Sequence, residues 1–169
     1  MNVARDEDGL RIELDGEAET DALGRALAAV LAPDTVVGLV GPLGAGKTRL
    51  VRAIAEALDV DPLAIASPTF VLIHEYEGAI PIYHFDVYRL TSTAAFDDLG
   101  PADYWTAGGI CLVEWADRVA AALPPDAWWI TIEPVDPARR AVRLAAPDDA
   151  LERLANLLTP PSDAPKDGP

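Results

Sequence analysis

Thr35-Val36-Val37-Gly38-Leu39-Val40, running straight into Gly41-Pro42-Leu43-Gly44-Ala45-Gly46-Lys47-Thr48, decides how this 169-residue chain folds. The second half fits G-x-x-x-x-G-K-[ST], a phosphate-loop pattern that arises by chance in roughly one chain of this length in a hundred. The flanking sequence separates a working loop from a chance match. Residues 35–40 are a short apolar, β-branched run, as a strand covered on both faces requires. Beyond the loop, Leu50, Val51, Ile54, Ala55 and Leu58 recur at helical spacing while Arg52, Glu56 and Asp59 turn away, and Pro62 is a stop signal. Strand, loop and helix are all predicted. The glycines let the backbone curl so that successive N–H groups and the positive end of the helix converge on a phosphate. Gly41, Gly44, Ala45, Gly46, Lys47, Thr48 and the adjoining Arg49 are therefore the predicted nucleotide-binding residues, with Mg²⁺ as a cofactor. Lys47 would reach the β- and γ-phosphates, and Thr48 would offer its hydroxyl to Mg²⁺, which prefers hard oxygen ligands. Pro42 removes one amide, at the mouth of the loop.

Lysine usage sharpens this reading. The chain has two lysines, Lys47 and Lys166, and the second lies in a Pro-rich tail; elsewhere positive charge is written as arginine. The length suits one domain with a real core, and 50% of the residues are apolar. The opening MNVARDEDG has no apolar leader segment, and no stretch approaches the roughly 18 apolar residues of a membrane span, so a cytoplasmic chain with no membrane partner is expected. One cysteine, Cys111, excludes an internal disulfide and a cysteine-based metal cluster, and its apolar neighbours predict a buried thiol. A formal net charge of −15 repels phosphate backbones, so DNA is excluded as a partner and a basic protein surface is favoured.

Around the loop the sequence predicts a strand over Leu10–Leu14, a turn at Asp15-Gly16, and a helix carrying Leu23, Leu27, Val30 and Leu31 with Thr20 as N-cap. Phe70–Tyr76 and Ile80–Phe85 read as a hairpin about Glu77-Gly78-Ala79. Short helices fill 93–107. Strands follow at Ile110–Val113, Trp128–Ile132 and Ala141–Leu144, then a helix from Asp148 to Leu158. Residues 159–169, TPPSDAPKDGP, read as a disordered tail, leaving one domain over 1–158. Arg139, Arg140 and Arg143 read as the solvent side of a strand, where an arginine can also border a nucleotide.

Two apolar strands end in an acid: Ile82-Tyr83-His84-Phe85 leads to Asp86, and Ile110-Cys111-Leu112-Val113 leads to Glu114. A carboxylate at a strand tip beside a phosphate loop can hold Mg²⁺ or aim the attacking water at a γ-phosphate. His84 alternates with Asp86, which puts both on one side of their strand.

Gly41–Thr48, Ser67-Pro68-Thr69-Phe70, Glu75-Tyr76, His84-Phe85-Asp86-Val87-Tyr88-Arg89-Leu90, Leu99-Gly100 with Asp103-Tyr104, and Ile110-Cys111-Leu112-Val113-Glu114-Trp115 follow one another in this order. Together, from about residue 10 to 145, they closely resemble the TsaE family, small ATPases of the bacterial machinery that makes threonylcarbamoyladenosine next to the anticodon of tRNAs. The resemblance implies a P-loop α/β sandwich with a central mixed, partly antiparallel sheet. It implies that Lys47 and the loop amides hold the phosphates and that Thr48 and Glu114 hold Mg²⁺. It further implies that Ser67–Phe70 faces the γ-phosphate with the hydroxyls of Thr69 and Ser67, and that Asp86 positions the attacking water, with Glu114 as the competing candidate for that task. Trp115 is either a reporter of nucleotide binding or a core aromatic. Trp128 and Trp129 read as packing. The expected partners are the TsaD and TsaB proteins, with tRNA met only through them, and the expected activity is a Mg²⁺-dependent ATPase that is slow alone and activated by partners. Two departures from the family pattern stand out: Pro42 replaces a usual acid, and Ala95-Phe96-Asp97-Asp98 is a thinner acidic run than usual.

A small-molecule kinase is the alternative from another class. Such enzymes need an arginine-bearing lid over the γ-phosphate, and between Phe70 and Gly109 the one arginine is Arg89, inside a strand-like motif. Guanine reading through N-K-x-D is impossible, since the asparagines are Asn2 and Asn156. A nucleotide-dependent binding module that barely hydrolyses ATP would differ from the main reading in tolerating Asp86→Ala.

Overall fold

The computed structural model describes residues 1–65 and 72–159. In chain order its elements are β1 (Asn2–Asp6), β2 (Gly9–Leu14), α1 (Glu17–Val30), β3 (Val36–Val40), α2 (Lys47–Ala57), β4 (Ile73–Tyr76), β5 (Ile82–Asp86), α3 (Thr93–Asp97), α4 (Pro101–Trp105), β6 (Ile110–Glu114), a 3₁₀ helix (Ala116–Ala122), β7 (Trp128–Pro134), β8 (Arg140–Ala145) and α5 (Asp148–Leu158). The strands form one eight-stranded sheet in the order β1-β2-β8-β7-β3-β6-β5-β4. Its middle, β7-β3-β6-β5, is parallel, while β4 at one edge and β8, β2 and β1 at the other run antiparallel. This is the mixed, partly antiparallel α/β sheet that the family resemblance implies.

Period-2 alternation sorts each strand's side chains. Leu10, Ile12 and Leu14 of β2, with Val142 and Leu144 of β8, face Leu23 and Leu27 of α1, Leu50 and Ile54 of α2, and Leu151 and Leu154 of α5. Phe85, Cys111 and Val113 face the opposite way, against Phe96, Val119 and Leu123. Each fully buried Leu or Ile in these layers contributes roughly 1.5–3 kcal/mol. Sorting also aims the strand tips: Ile82 and Ile110 lie in the α2-side core, and His84, Asp86, Leu112 and Glu114 follow them at even spacing. Both acids thus end on the side where α2 begins.

One local expectation is corrected, and one strand was not expected at all. Thr20 does not cap α1: the helix starts at Glu17 with Gly16 in the N-cap position, and Thr20 lies inside it, its hydroxyl 3.4 Å from the Gly16 carbonyl. Glu17 and Glu19 occupy the first turn, where acids favour the positive helix end. The opening residues, read only for their lack of an apolar leader, form β1. Asp6–Gly9 turns the chain back so that Asn2–Asp6 pairs with Gly9–Glu13. Of the predicted Phe70–Tyr76 strand, residues 70 and 71 lie outside the described residues, Leu72 is a bend with φ 70°, and the strand runs over Ile73–Tyr76; the tail beyond Thr159 lies outside the described residues.

Helix α2 is held against α1 at a point where only glycine fits. A Cβ on Gly24 would stand 2.4 Å from Ala53 Cβ and 2.9 Å from the Ala53 carbonyl carbon. Gly24→Ala should therefore lower the denaturant midpoint: overpacking costs about 1–3 kcal/mol, against a helix-propensity gain of about 1 kcal/mol. An unchanged or raised midpoint would show that the helices separate without cost.

Cys111 is fully buried on β6, and burial pushes its thiol up to about 12. The unfolded thiol ionises near its ordinary value of 9.0, so this group's stabilisation is complete below that pH and is lost as pH rises toward about 12. Ellman's reagent at pH 8 should leave the native thiol unmodified and react with the denatured chain. Rapid reaction of the native protein would contradict this burial. No helix among the described residues is long and apolar enough to cross a membrane.

Candidate nucleotide site

Strand β3 stops at Val40 and α2 starts at Lys47, so the predicted loop lies between two fixed elements. Gly41 has φ +149°, and a Cβ there would come within 2.3 Å of the Ile132 carbonyl on neighbouring β7. No other residue lets the loop leave the sheet at this point. Gly46 enters the helix with φ 109°, and the first helical residues are Lys47, Thr48 and Arg49. Arg140 of β8 donates from Nε to the Ala45 carbonyl at 3.0 Å, fastening the loop to the antiparallel half of the sheet. That arginine was predicted to face solvent or border a nucleotide; it reaches the loop's own backbone.

Lys47 is only 4% exposed. Its ammonium donates to the carbonyls of Gly41 at 2.7 Å and Pro42 at 3.1 Å, and stands 3.6 Å from the centre of the Trp115 ring. Burial lowers its pKa, and the nearby Glu114, Asp86 and Asp117 oppose that shift without cancelling it. An anion beside the ammonium would supply the missing compensation.

Register brings the two predicted acids together. Asp86 of β5 pairs with Glu114 of β6, and Glu114 with Leu39 of β3 at the mouth of the loop. Thr48 donates its hydroxyl to Glu114 Oε2 at 2.9 Å across 66 residues of chain. The other carboxylate oxygen, Oε1, is 2.9 Å from His84 Nε2, and Tyr76 Oη is 3.4 Å from His84 Nδ1. Asp86 Oδ1 accepts the Tyr88 amide at 2.9 Å. Lys47, Thr48, Asp86 and Glu114 line one cleft of about 360 Å³, within the range of small-molecule sites, with Tyr88 and Trp115 on its wall.

Trp115 directs the chain after β6. It has φ 62°, unusual for a bulky residue, and sends the backbone into the 3₁₀ helix while its ring lies between Lys47 and Tyr88, 4.7 Å from the Tyr88 centre. It is thus a wall of the cleft. Trp128 is buried in the core, and Trp129 packs from the other face near Gly38.

Among the predicted site residues, the Arg49 side chain turns to α1, donating to Asp21 at 2.8 and 2.6 Å and to Glu17 at 2.8 Å. Thr69, with the rest of Ser67–Phe70, lies outside the described residues. Sequence reading missed the His84–Glu114 contact, the Tyr76 hydroxyl behind it and the Arg140 fastening. The first had a signal, because His84 and Asp86 were already placed on one face; the last had none, since Arg140 and Ala45 are 95 residues apart.

Among the described residues, no group of three or more His, Cys, Asp or Glu forms a metal cage. Mg²⁺ needs none, because it binds proteins through one or two oxygens and completes its shell with phosphates and water. The Thr48 hydroxyl and Glu114 carboxylate are the right donor type, already in contact, so the residues present fit Mg²⁺ bound together with a nucleotide.

A family model described as "Threonylcarbamoyl adenosine biosynthesis protein TsaE" matches residues 14–142. A Bacillus subtilis relative, "tRNA threonylcarbamoyladenosine biosynthesis protein TsaE", is 37% identical over 142 residues, 83% of this chain and 88% of its own. A Treponema pallidum protein of the same description is 36% identical over 127 residues, covering 75% and 93% of the two chains. The crystal structure of Bacillus subtilis YdiB matches with a TM-score of 0.71 and 33% identity over 94% of this chain and 96% of that one.

Proposed function

The chain belongs to the TsaE family, and from that premise we propose that it binds ATP with Mg²⁺ at the Lys47 loop and hydrolyses it. In this reading the turnover drives the cycle of the TsaD and TsaB partner pair during threonylcarbamoyladenosine synthesis on tRNA. The observation that carries the proposal is the 2.9 Å contact between Thr48 and Glu114, with Asp86 beside Glu114 in register. A loop hydroxyl and a strand-tip carboxylate meet at the start of a helix whose amides and buried lysine suit phosphate.

Each residue has a task. The loop amides and Lys47 bind the phosphates, and Lys47 exchanges its Gly41 and Pro42 carbonyls for phosphate oxygens. Thr48 and Glu114 hold Mg²⁺, which when bound neutralises charge on the β- and γ-phosphate oxygens. Asp86 orients the attacking water. A second cleft of about 270 Å³, lined by Glu17, Gly44–Gly46, Pro137, Ala138 and Arg140, adjoins the loop and is the candidate place for the rest of the nucleotide. The free chain turns over slowly and the partners accelerate it. A surface of net charge −15 favours a basic face on the partner pair and disfavours direct capture of tRNA.

Thr48→Val tests the metal assignment, because it keeps the shape of the side chain and deletes the hydroxyl. ATP should bind the unsubstituted chain more tightly with Mg²⁺ than with a chelator, and Thr48→Val should lose that increment while keeping its Mg²⁺-free affinity. Equal increments in the two proteins would remove Thr48 from the metal site.

A further inference from the structure

We propose that His84 is a positioning residue for Glu114: it fixes Oε1 by a hydrogen bond so that Oε2 alone is presented to Thr48 and to the cation they share. The proposal rests on the Mg²⁺ reading above and adds to it a buried histidine to which that reading gives no task. His84 is fully buried in the middle of β5, with its ring turned toward the next strand. Its Nε2 is 2.9 Å from Glu114 Oε1, and its Nδ1 is 3.4 Å from the hydroxyl of buried Tyr76 on β4.

For a neutral His84 ring, one tautomer satisfies the chain of contacts. An ionised Glu114 only accepts, so His84 Nε2 carries the hydrogen. Nδ1 then holds a lone pair and accepts the Tyr76 hydroxyl. Thr48 donates to Oε2, completing a path Tyr76–His84–Glu114–Thr48 that crosses from the sheet edge to the phosphate loop. Among the described residues no buried side-chain nitrogen or oxygen lacks a partner, so an apolar residue at 84 would remove a buried carboxylate's donor. The carboxylate would then be free to rotate toward other donors. Outer partners of this kind set the orientation of metal-binding side chains, and losing one typically lowers metal affinity about 10- to 100-fold.

The test titrates Mg²⁺ into the full-length chain holding a fluorescent ATP analogue, for the unsubstituted protein, His84→Leu and His84→Gln. Glutamine places an amide N–H near the position of Nε2. The Mg²⁺ concentration for half-maximal response should rise about tenfold or more in His84→Leu, and return to within about threefold of the original in His84→Gln. Analogue affinity in chelator should be alike in all three. A purely packing role predicts that Leu and Gln behave alike, and that result overturns the proposal. So does an unshifted midpoint in His84→Leu while the unsubstituted chain responds normally, and this leaves the Thr48–Glu114 reading standing. An unsubstituted chain that ignores Mg²⁺ overturns both. Should His84→Leu fail to fold, ¹⁵N NMR of the histidine rings in the unsubstituted protein decides. The Nε2–H tautomer is expected at His84, and the Nδ1–H tautomer would refute the arrangement.

Discussion

Lys47→Ala is expected to bind ATP about ten- to a hundredfold more weakly than the unsubstituted chain, as read by calorimetric titration with Mg²⁺ present. The charge-assisted contacts that an ammonium makes with phosphate oxygens are worth about 1.5–3 kcal/mol. Here the loss is compounded, because Asp86 and Glu114 remain buried beside the cleft and repel the incoming polyphosphate once Lys47 no longer offsets them. The loop amides and the α2 amino end remain, so binding weakens without vanishing. Lys47→Arg should not restore it. The ammonium fits between two carbonyls and the Trp115 ring, and a planar guanidinium has neither its size nor its donor geometry. Unchanged affinity in Lys47→Ala would take the lysine out of the site.

Asp86→Ala should do the opposite: ATP binding within about threefold of the original, and turnover lower by about 10²–10⁴-fold, the usual contribution of a positioned acid–base group. Asp86 stands one strand farther from the loop than Glu114, which already contacts Thr48, so the proposed reading gives the metal to Glu114 and the water to Asp86. One oxygen of Asp86 accepts the Tyr88 amide, which helps to fix the carboxylate. Binding that collapses together with turnover would instead make Asp86 a metal ligand or a fold determinant. Single-turnover measurements at saturating ATP separate the two outcomes.

Legibility of the fold followed the strength of each local signal. The run Val36–Val40, the glycines and the heptad-like spacing of Leu50, Val51 and Ile54 each have one cheap interpretation, and they agree. The mixed sheet was implied by the family resemblance, and the carboxylates at its tips were read from the two apolar runs that end in Asp86 and Glu114. Strand β1 was illegible because Asn2–Asp6 is an edge strand whose side chains are mostly exposed, and such strands carry charge in place of an apolar pattern. The start of α1 was misplaced because Thr20 resembles a cap, whereas the true turn uses Gly16 at φ 147°, a backbone conformation that favours glycine, after β2. Within the site, residue types were legible and partners were not. Sequence placed His84 on the face of Asp86, but only the β5–β6 register shows that its ring reaches Glu114. Trp115 was left between reporter and core aromatic, and its positive φ, which turns the ring onto Lys47, has no one-residue signature for a tryptophan.

The proposed function is hydrolysis of Mg²⁺-ATP at this site in the service of partner proteins. It is tested most directly by measuring phosphate release from ATP with Mg²⁺, first by the purified chain and then with TsaD and TsaB added, with Asp86→Ala as the blank. Slow release by the chain alone, a clear rise with both partners, and neither in the blank are the results expected of this function. Release that is the same with and without partners, or that persists in Asp86→Ala, would contradict it.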